Sequence, residues 1–184
     1  MFLRKFKRPF LFLVLLLQLL LDLSSAGLVY AQTPVENEYE LKSAFVFNFL
    51  KYIEQPPGTS SSKDLRLCIF GGEELSPFNT LKGKAPRDVQ IEIISNRQDA
   101  IVGKCNVIFI SATVGEKELS ILNSFKGNGI LTIGESPEFC RHGGMISFFQ
   151  DNQRIRFEIN ITTTKQASIN VSSKLLQLAK ILKE

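Results

Sequence analysis

The chain has 184 residues, of which 44% are hydrophobic, and a formal net charge of +4. Four of its basic residues lie within the first eight positions, so residues 32–184 contain 18 basic and 17 acidic side chains and are nearly neutral. Net charge therefore gives no support for nucleic-acid binding. The 153 residues from 32 to 184 suit one domain with one substantial core.

The beginning of the chain has the pattern of a secretory signal peptide. A cationic start, 1–8, precedes an apolar run, 10–21, which Asp22 ends before it reaches the roughly 20 residues that cross a bilayer. Cleavage is predicted after Ala31, with Ala26 as the second candidate and an uncleaved membrane anchor as the alternative. We therefore expect a signal peptide over 1–31 and an exported domain over 32–184.

The cysteines fit export into an oxidising compartment. Cys68, Cys105 and Cys140 all follow the predicted signal peptide. Three cysteines permit one internal disulfide and leave one thiol over, and three reduced, buried thiols are the alternative.

The first element after the signal is a predicted helix over Glu38–Glu54. Its apolar residues recur at the three-and-four spacing of one helical face. These residues are Leu41, Ala44, Phe45, Phe49, Tyr52 and Ile53. The following Pro56-Pro57-Gly58 ends the helix, because proline disfavours helical geometry in the residue before it.

Short apolar runs then predict buried strands, and segments of helical length separate them. The runs are 65–70, 89–94, 107–110 and 130–133, and the helical segments are 74–81, 97–102 and 115–125. Strands that alternate with helices imply crossover connections and parallel pairing. We predict a single α/β domain whose mostly parallel sheet is covered by helices on both faces, as in Rossmann-like three-layer proteins.

The last third of the chain predicts an antiparallel hairpin and a terminal helix. The runs 145–150 and 154–159 flank the polar turn 151–153, and the second run alternates charged with apolar residues. Asn170 or Ser172 is placed to cap the final helix. The apolar stripe expected to dock this helix on the core is Val171, Leu175, Leu178, Ala179 and Leu182.

The residue sets that catalysis requires are mostly missing. His142 is the only histidine, so no second histidine can share a zinc site, and there is no Gly-x-Ser-x-Gly nucleophile motif. Cys140 and His142 are two residues apart and form a candidate nucleophile pair, but an ordinary loop containing a thiol is the favoured interpretation. We expect no enzymatic activity, no cofactor and no metal site.

Two other features suggest binding. Glycines and polar residues follow predicted strands, and ligands in open parallel sheets bind beyond the strands' carboxyl ends. This candidate ligand crevice consists of Gly71, Gly72, Gly134, Glu135 and Ser136, with Ser136-Pro137 resembling a helix N-cap. Ordinary turns are the alternative. Phe47 lies off the predicted apolar face and is a candidate partner contact, with burial by a neighbouring element as the alternative.

Taken in order, these segments resemble the YfiR-like family of exported proteins over nearly all of the chain after the signal. The matching pieces are 41–56 LKSAFVFNFLKYIEQP, 65–71 LRLCIFG, 105–110 CNVIFI, 131–139 LTIGESPEF, 143–146 GGMI, 156–160 RFEIN and 172–176 SSKLL. Gln55 stands where the family usually has tryptophan, and Cys140 lacks a second cysteine a few residues later that some relatives carry.

The resemblance implies a periplasmic negative regulator. By this resemblance, the protein represses an inner-membrane diguanylate cyclase by contacting its periplasmic part. Repression limits the level of cyclic di-GMP, and with it adhesion and biofilm formation. The resemblance also implies a disulfide between Cys68 and Cys105, with Cys140 outside the bridge. A periplasmic small-ligand sensor that serves another membrane signalling protein or a transporter is the alternative function. Exposed edge strands make a homodimer plausible.

Overall fold

The apolar runs predicted as strands lie together in one sheet. The computed structural model of the protein describes residues 34–56, 64–95, 104–126 and 129–183. The predicted signal peptide, 1–31, and the predicted helix 97–102 lie outside the described residues. The described part belongs to one domain, within the compact unit Thr33–Glu184.

Nine strands are described. They are β1 Ile53–Glu54, β2 Asp64–Phe70, β3 Gln90–Ser95, β4 Val107–Ile110, β5 Leu131–Gly134, β6 Ile146–Asp151, β7 Arg154–Asn160, β8 Asn170–Val171 and β9 Lys180–Leu182. Seven of them form one sheet in the order β3-β2-β4-β5-β6-β7-β9. Pairing is parallel throughout except between β6 and β7, which form the predicted antiparallel hairpin. Strands β1 and β8 make a separate antiparallel pair.

The helical segments of the described part connect and cover these strands. The α-helices are α1 Pro34–Tyr52, α2 Glu118–Phe125, α3 Ile161–Gln166 and α4 Ser173–Leu176. Segments of 3₁₀ helix span Glu73–Leu81, Pro86–Asp88 and Ala112–Lys117. None of the helices in the described ranges is both long and apolar enough to cross a lipid bilayer.

Alternation along the central strands divides the core into two clusters. Leu67, Ile69 and Phe109 pack in the cluster that contains the buried residues of α1. The intervening residues pack in a second cluster with the buried side of α2. The strand residues of this second cluster include Cys68, Phe70, Ile108 and Ile110, and its α2 residues are Ile121, Leu122 and Phe125. Successive strand residues point to opposite faces, so the predicted three-layer α/β fold is confirmed.

The hairpin turn has the backbone geometry of a type I′ turn. Asn152 and Gln153 both have positive φ, 48° and 62°, which the two central residues of a type I′ turn require. Asp151 pairs with Arg154 on either side of the turn. The resulting register places Phe148 opposite Phe157, and both residues pack against α1.

Three local predictions are wrong. The buried face of α1 contains Tyr39, Lys42, Val46, Phe49 and Leu50, whereas Leu41, Ala44 and Tyr52 of the predicted apolar face are exposed. The predicted terminal helix is confined to Ser173–Leu176, after which the chain becomes strand β9 beside β7. The segment after Ser136-Pro137 is a series of turns rather than a helix.

Candidate functional site

The carboxyl ends of the parallel strands carry a network of polar side chains. Gly71 follows β2, Ser111 follows β4 and Glu135 follows β5, so the parallel register brings these three residues to one edge of the sheet. The long helix α1 passes over this edge and contributes Tyr39 and Lys42.

Lys42 and Glu135 form a buried ion pair at the centre of the network. Lys42 Nζ lies 2.5 Å from Glu135 Oε1 and 2.5 Å from Glu38 Oε1. The side chains of Lys42 and Glu135 are only 8% and 5% exposed. The Tyr39 hydroxyl and the Ala112 backbone N–H each donate to Glu135 Oε2 over 3.0 Å. Glu135 thus has three partners, and a buried carboxylate needs such partners because an uncompensated charge is costly away from water.

Glu74 occupies the neighbouring part of the same edge. Its Oε1 accepts hydrogen bonds from the Thr113 hydroxyl at 2.7 Å, the Gly72 backbone N–H at 2.9 Å and the Ser111 hydroxyl at 3.2 Å. Burial alone would raise the pKa of the Glu74 carboxyl, but these hydrogen bonds outweigh burial and hold the pKa below its ordinary value. Glu74 is therefore ionised at neutral pH.

Burial has the dominant effect on Tyr39. The phenol is removed from water and faces Glu135, and both effects raise the pKa of Tyr39 well above its ordinary value. The Tyr39 hydroxyl also lies 3.3 Å from Ser111 Oγ, so it connects the Glu135 and Glu74 halves of the network. Tyr39 stays protonated at physiological pH and acts here as a hydrogen-bond donor.

The chain's own carboxylates fill the polar part of the candidate ligand crevice. The backbone N–H groups of Gly72 and Ala112, which face this end of the sheet, already donate to Glu74 and Glu135. An anion arriving at this edge would meet two carboxylates. The polar network therefore links α1 to the sheet, and its carboxylates would repel an incoming anion.

Open space remains beside the crevice glycines. A cavity of about 430 Å³ is lined by Gly71, Gly72 and the 3₁₀ segment that follows. A second cavity, of about 460 Å³, is lined by the same glycines, by the 3₁₀ segment Ala112–Lys117 and by Ile121 of α2. Ligand binding at these glycines stays a prediction.

Gly134 and Ser136 have structural surroundings that the sequence did not reveal. A side chain at Gly134 would overlap the Phe139 ring, so a close approach between β5 and the following turn accounts for the glycine. The Ser136 hydroxyl donates to Glu118 Oε1 over 2.5 Å and so joins the turn to α2.

The cysteines divide as the family resemblance implies. Cys68 on β2 and Cys105 before β4 form a disulfide with a Cα–Cα distance of 5.8 Å, which joins neighbouring parallel strands. Cys140 is buried outside this bridge, with its Sγ 4.0 Å from the Glu158 carbonyl oxygen. His142 is exposed, whereas Cys140 is not.

Phe47 lies on the flank of α1 that faces the β3 side of the sheet. Its ring is partly buried against the core, and the ammonium groups of Lys51 and Lys84 lie 4.5 Å and 5.6 Å from the ring centroid. Phe45, two residues earlier, points to the other flank and contacts Phe148 and Phe157. A partner contact at Phe47 stays a prediction.

Gln55 has a defined role despite the family's usual tryptophan. Its side-chain amide donates to the backbone carbonyl of Asn106, and the Asn106 side chain in turn accepts from the Arg66 N–H at 2.8 Å. Gln55 thus links the end of β1 to the residue before β4.

The fold and the site define an α/β domain that is cross-linked by one disulfide and has a polar network at the carboxyl ends of its parallel strands. A family model described as YfiR/HmsC-like matches residues 39–180, and the chain belongs to this family. At the level of the family, membership supports a periplasmic regulator of diguanylate cyclase signalling.

The solved structures support the fold independently. A conserved domain protein from Vibrio cholerae O1 biovar El Tor str. N16961 is similar over 83% of this chain, with a TM-score of 0.54 and 13% sequence identity. The chain spans 60% of the length of that structure, and the likeness concerns the fold. No curated protein matches the chain.

Proposed function

We propose that this protein is a periplasmic negative regulator that binds the periplasmic part of an inner-membrane diguanylate cyclase and lowers its cyclic di-GMP output. The observation that carries the proposal is the family match over residues 39–180. The disulfide between Cys68 and Cys105 supports a working place in an oxidising compartment. Repression of the cyclase would in turn limit adhesion and biofilm.

The mechanism we infer is a shift between two states of the cyclase. A protein that binds the inactive arrangement more tightly than the active one moves the equilibrium toward low output. The size of the shift is set by the difference between the two affinities. Repression therefore requires a surface that recognises the partner, and it requires no chemistry on a substrate.

Gene deletion tests this function. We expect cyclic di-GMP and surface attachment to rise in the deletion strain and to return to the parental level when the exported chain is supplied in trans. The matched control is the same chain without residues 1–31, which stays in the cytoplasm and should not restore repression. Unchanged cyclic di-GMP in the deletion strain under several envelope stresses would contradict the proposal.

A small-ligand sensor is the second candidate, and the cavities beside Gly71 and Gly72 support it. This function requires saturable binding of a metabolite without any protein partner. Calorimetric titration of the purified domain with candidate metabolites distinguishes the two functions. Binding that a bulky substitution at Gly72 abolishes would favour the sensor.

A further inference from the structure

Strand β7 is only partly covered on its outer side. It spans seven residues, Arg154–Asn160, and β6 pairs with all but the last of them. The outer neighbour β9 pairs only with Glu158–Asn160. Within the described ranges, no strand lies beside the outer edge of Arg154–Phe157. The sheet therefore ends in a four-residue edge that continues directly from a paired segment.

The hairpin register determines which backbone groups this edge presents. Opposed residues of an antiparallel pair alternate between those that bond each other and those that turn their N–H and C=O groups away. A two-residue turn makes Asp151 and Arg154 a bonded pair. Ile155 and Phe157 consequently direct their backbone groups outward, and Ile159, the next residue in that series, is paired with β9.

An apolar groove opens beside the same edge. It has a volume of about 400 Å³ and lies between α1, β7 and the segment around α4. Its lining residues are Phe45, Asn48, Phe49, Tyr52, Phe157, Lys174, Leu175 and Leu178. Tyr52 and Leu178 are 41% and 72% exposed. The groove lies on the side of the sheet to which Phe157 points, so a strand added to β7 would direct alternate side chains into it.

The charges at this edge favour an acidic partner. Arg154 and Arg156 are exposed and point away from the groove side, and Lys174 is exposed at the groove. Arg156 reaches Asp151 over 2.8 Å, but both side chains are about half exposed, 52% and 43%, so this pair can exchange partners at low cost. Antiparallel pairing of β7 with a second copy would bring arginines of the two copies together, which is unfavourable.

We propose that the outer edge of Arg154–Phe157 and the adjoining groove bind an extended segment of the cyclase's periplasmic part in which acidic and large apolar residues alternate. The added strand bonds to the outward groups of Ile155 and Phe157, its apolar side chains enter the groove, and its carboxylates lie beside Arg154 and Arg156. This inference rests on the proposed function and assigns the surface that performs it.

The test uses two independent variants in the deletion strain. Arg154→Glu with Arg156→Glu reverses the edge charge, and Ile155→Pro removes an outward N–H, a change that edge strands tolerate. The control, Lys82→Glu with Lys126→Glu, makes the same charge change at exposed positions that follow the first 3₁₀ segment and α2. Thermal unfolding and disulfide content confirm that each exported variant is folded.

We expect both edge variants to leave cyclic di-GMP at the level of the deletion strain, while the control represses normally. Binding to the purified periplasmic domain of the cyclase should weaken by about tenfold or more. If the wild-type chain itself fails to repress, the proposed function is wrong.

Three results would overturn the docking surface alone, given that the wild-type chain represses. The first is normal repression by folded edge variants. The second is loss of repression by Phe47→Ala while the edge variants stay active, which would place the contact on the opposite flank of α1. The third is a wild-type dimer that Ile155→Pro converts to a monomer without loss of repression, which would make the edge a contact between copies.

Discussion

The carboxyl ends of the central strands and the outer edge of β7 are opposites in how well the chain satisfies its own polar groups. At the strand ends, Glu74 and Glu135 accept hydrogen bonds from backbone N–H groups and hydroxyls of the chain itself. Arg154–Phe157 pairs with β6 on its inner side, but in the described part of the chain no strand lies on its outer side. The carboxylates at the strand ends are thus bonded within the chain, at the place where this architecture usually binds ligands, whereas the incomplete edge is where we propose that the partner binds.

The largest loss of stability is expected when one partner of the buried ion pair at the strand ends is removed. Lys42→Ala leaves Glu135 without its cation at 5% exposure. We expect a loss of roughly 3–5 kcal/mol in the free energy of unfolding, measured by denaturant titration. The double variant Lys42→Met with Glu135→Gln should recover most of the loss, because neither charge remains buried. Equal losses of unfolding free energy in the two variants would contradict this account, because the loss would then not come from an unpaired buried charge.

The disulfide comes next in expected effect. Replacing Cys68 and Cys105 with serine opens a loop of 37 residues and should cost roughly 2–4 kcal/mol in the free energy of unfolding. A reductant should destabilise the parent by a similar amount and leave the double variant unchanged. Cys140→Ala is the control, since it removes the thiol outside the bridge and should keep the sensitivity to reductant. An insensitive parent would mean that the bridge does not stabilise the domain.

Glu74 allows a smaller, pH-dependent test of the strand end. Its folded-state pKa is lowered from 4.5, so its stabilising effect is present above pH 4.5 and is lost as pH falls through the folded-state pKa. Glu74→Gln should reduce the free energy of unfolding at pH 7 by about 1 kcal/mol or less. Unfolding curves of the parent and Glu74→Gln should converge in acid, and a difference that persists there would contradict the assignment.

The smallest stability effect is expected at the outer edge. Arg154→Glu with Arg156→Glu alters exposed side chains and should change the free energy of unfolding by no more than about 0.5 kcal/mol. The same variant is expected to abolish repression, so stability and function separate at this surface. A large loss of stability would show that the arginines support the hairpin instead.

Local patterns in the sequence predict much of this fold. The run at 107–110 is a strand over the same residues, and polar Asn152-Gln153 between alternating runs correctly indicates the hairpin. The disulfide could be inferred only from the family resemblance. Strand β9 was missed because Leu178 and Leu182 fit a helical stripe, while pairing with β7 is a tertiary effect.

The polar network was harder to predict because its members are far apart in the chain. Lys42 and Glu135 are 93 residues apart, and no short pattern connects them. A signal was nevertheless present. Tyr39, Lys42, Val46 and Phe49 share a helical spacing, and a lysine within an otherwise apolar stripe indicates a buried charge with a distant partner.

Direct titration of the oxidised domain, residues 32–184, with the purified periplasmic domain of the cyclase is the most direct test of repression by binding. We expect saturable binding that Arg154→Glu with Arg156→Glu weakens and that Lys82→Glu with Lys126→Glu leaves unchanged. The absence of binding by the folded, disulfide-bonded wild-type domain would contradict repression through direct contact.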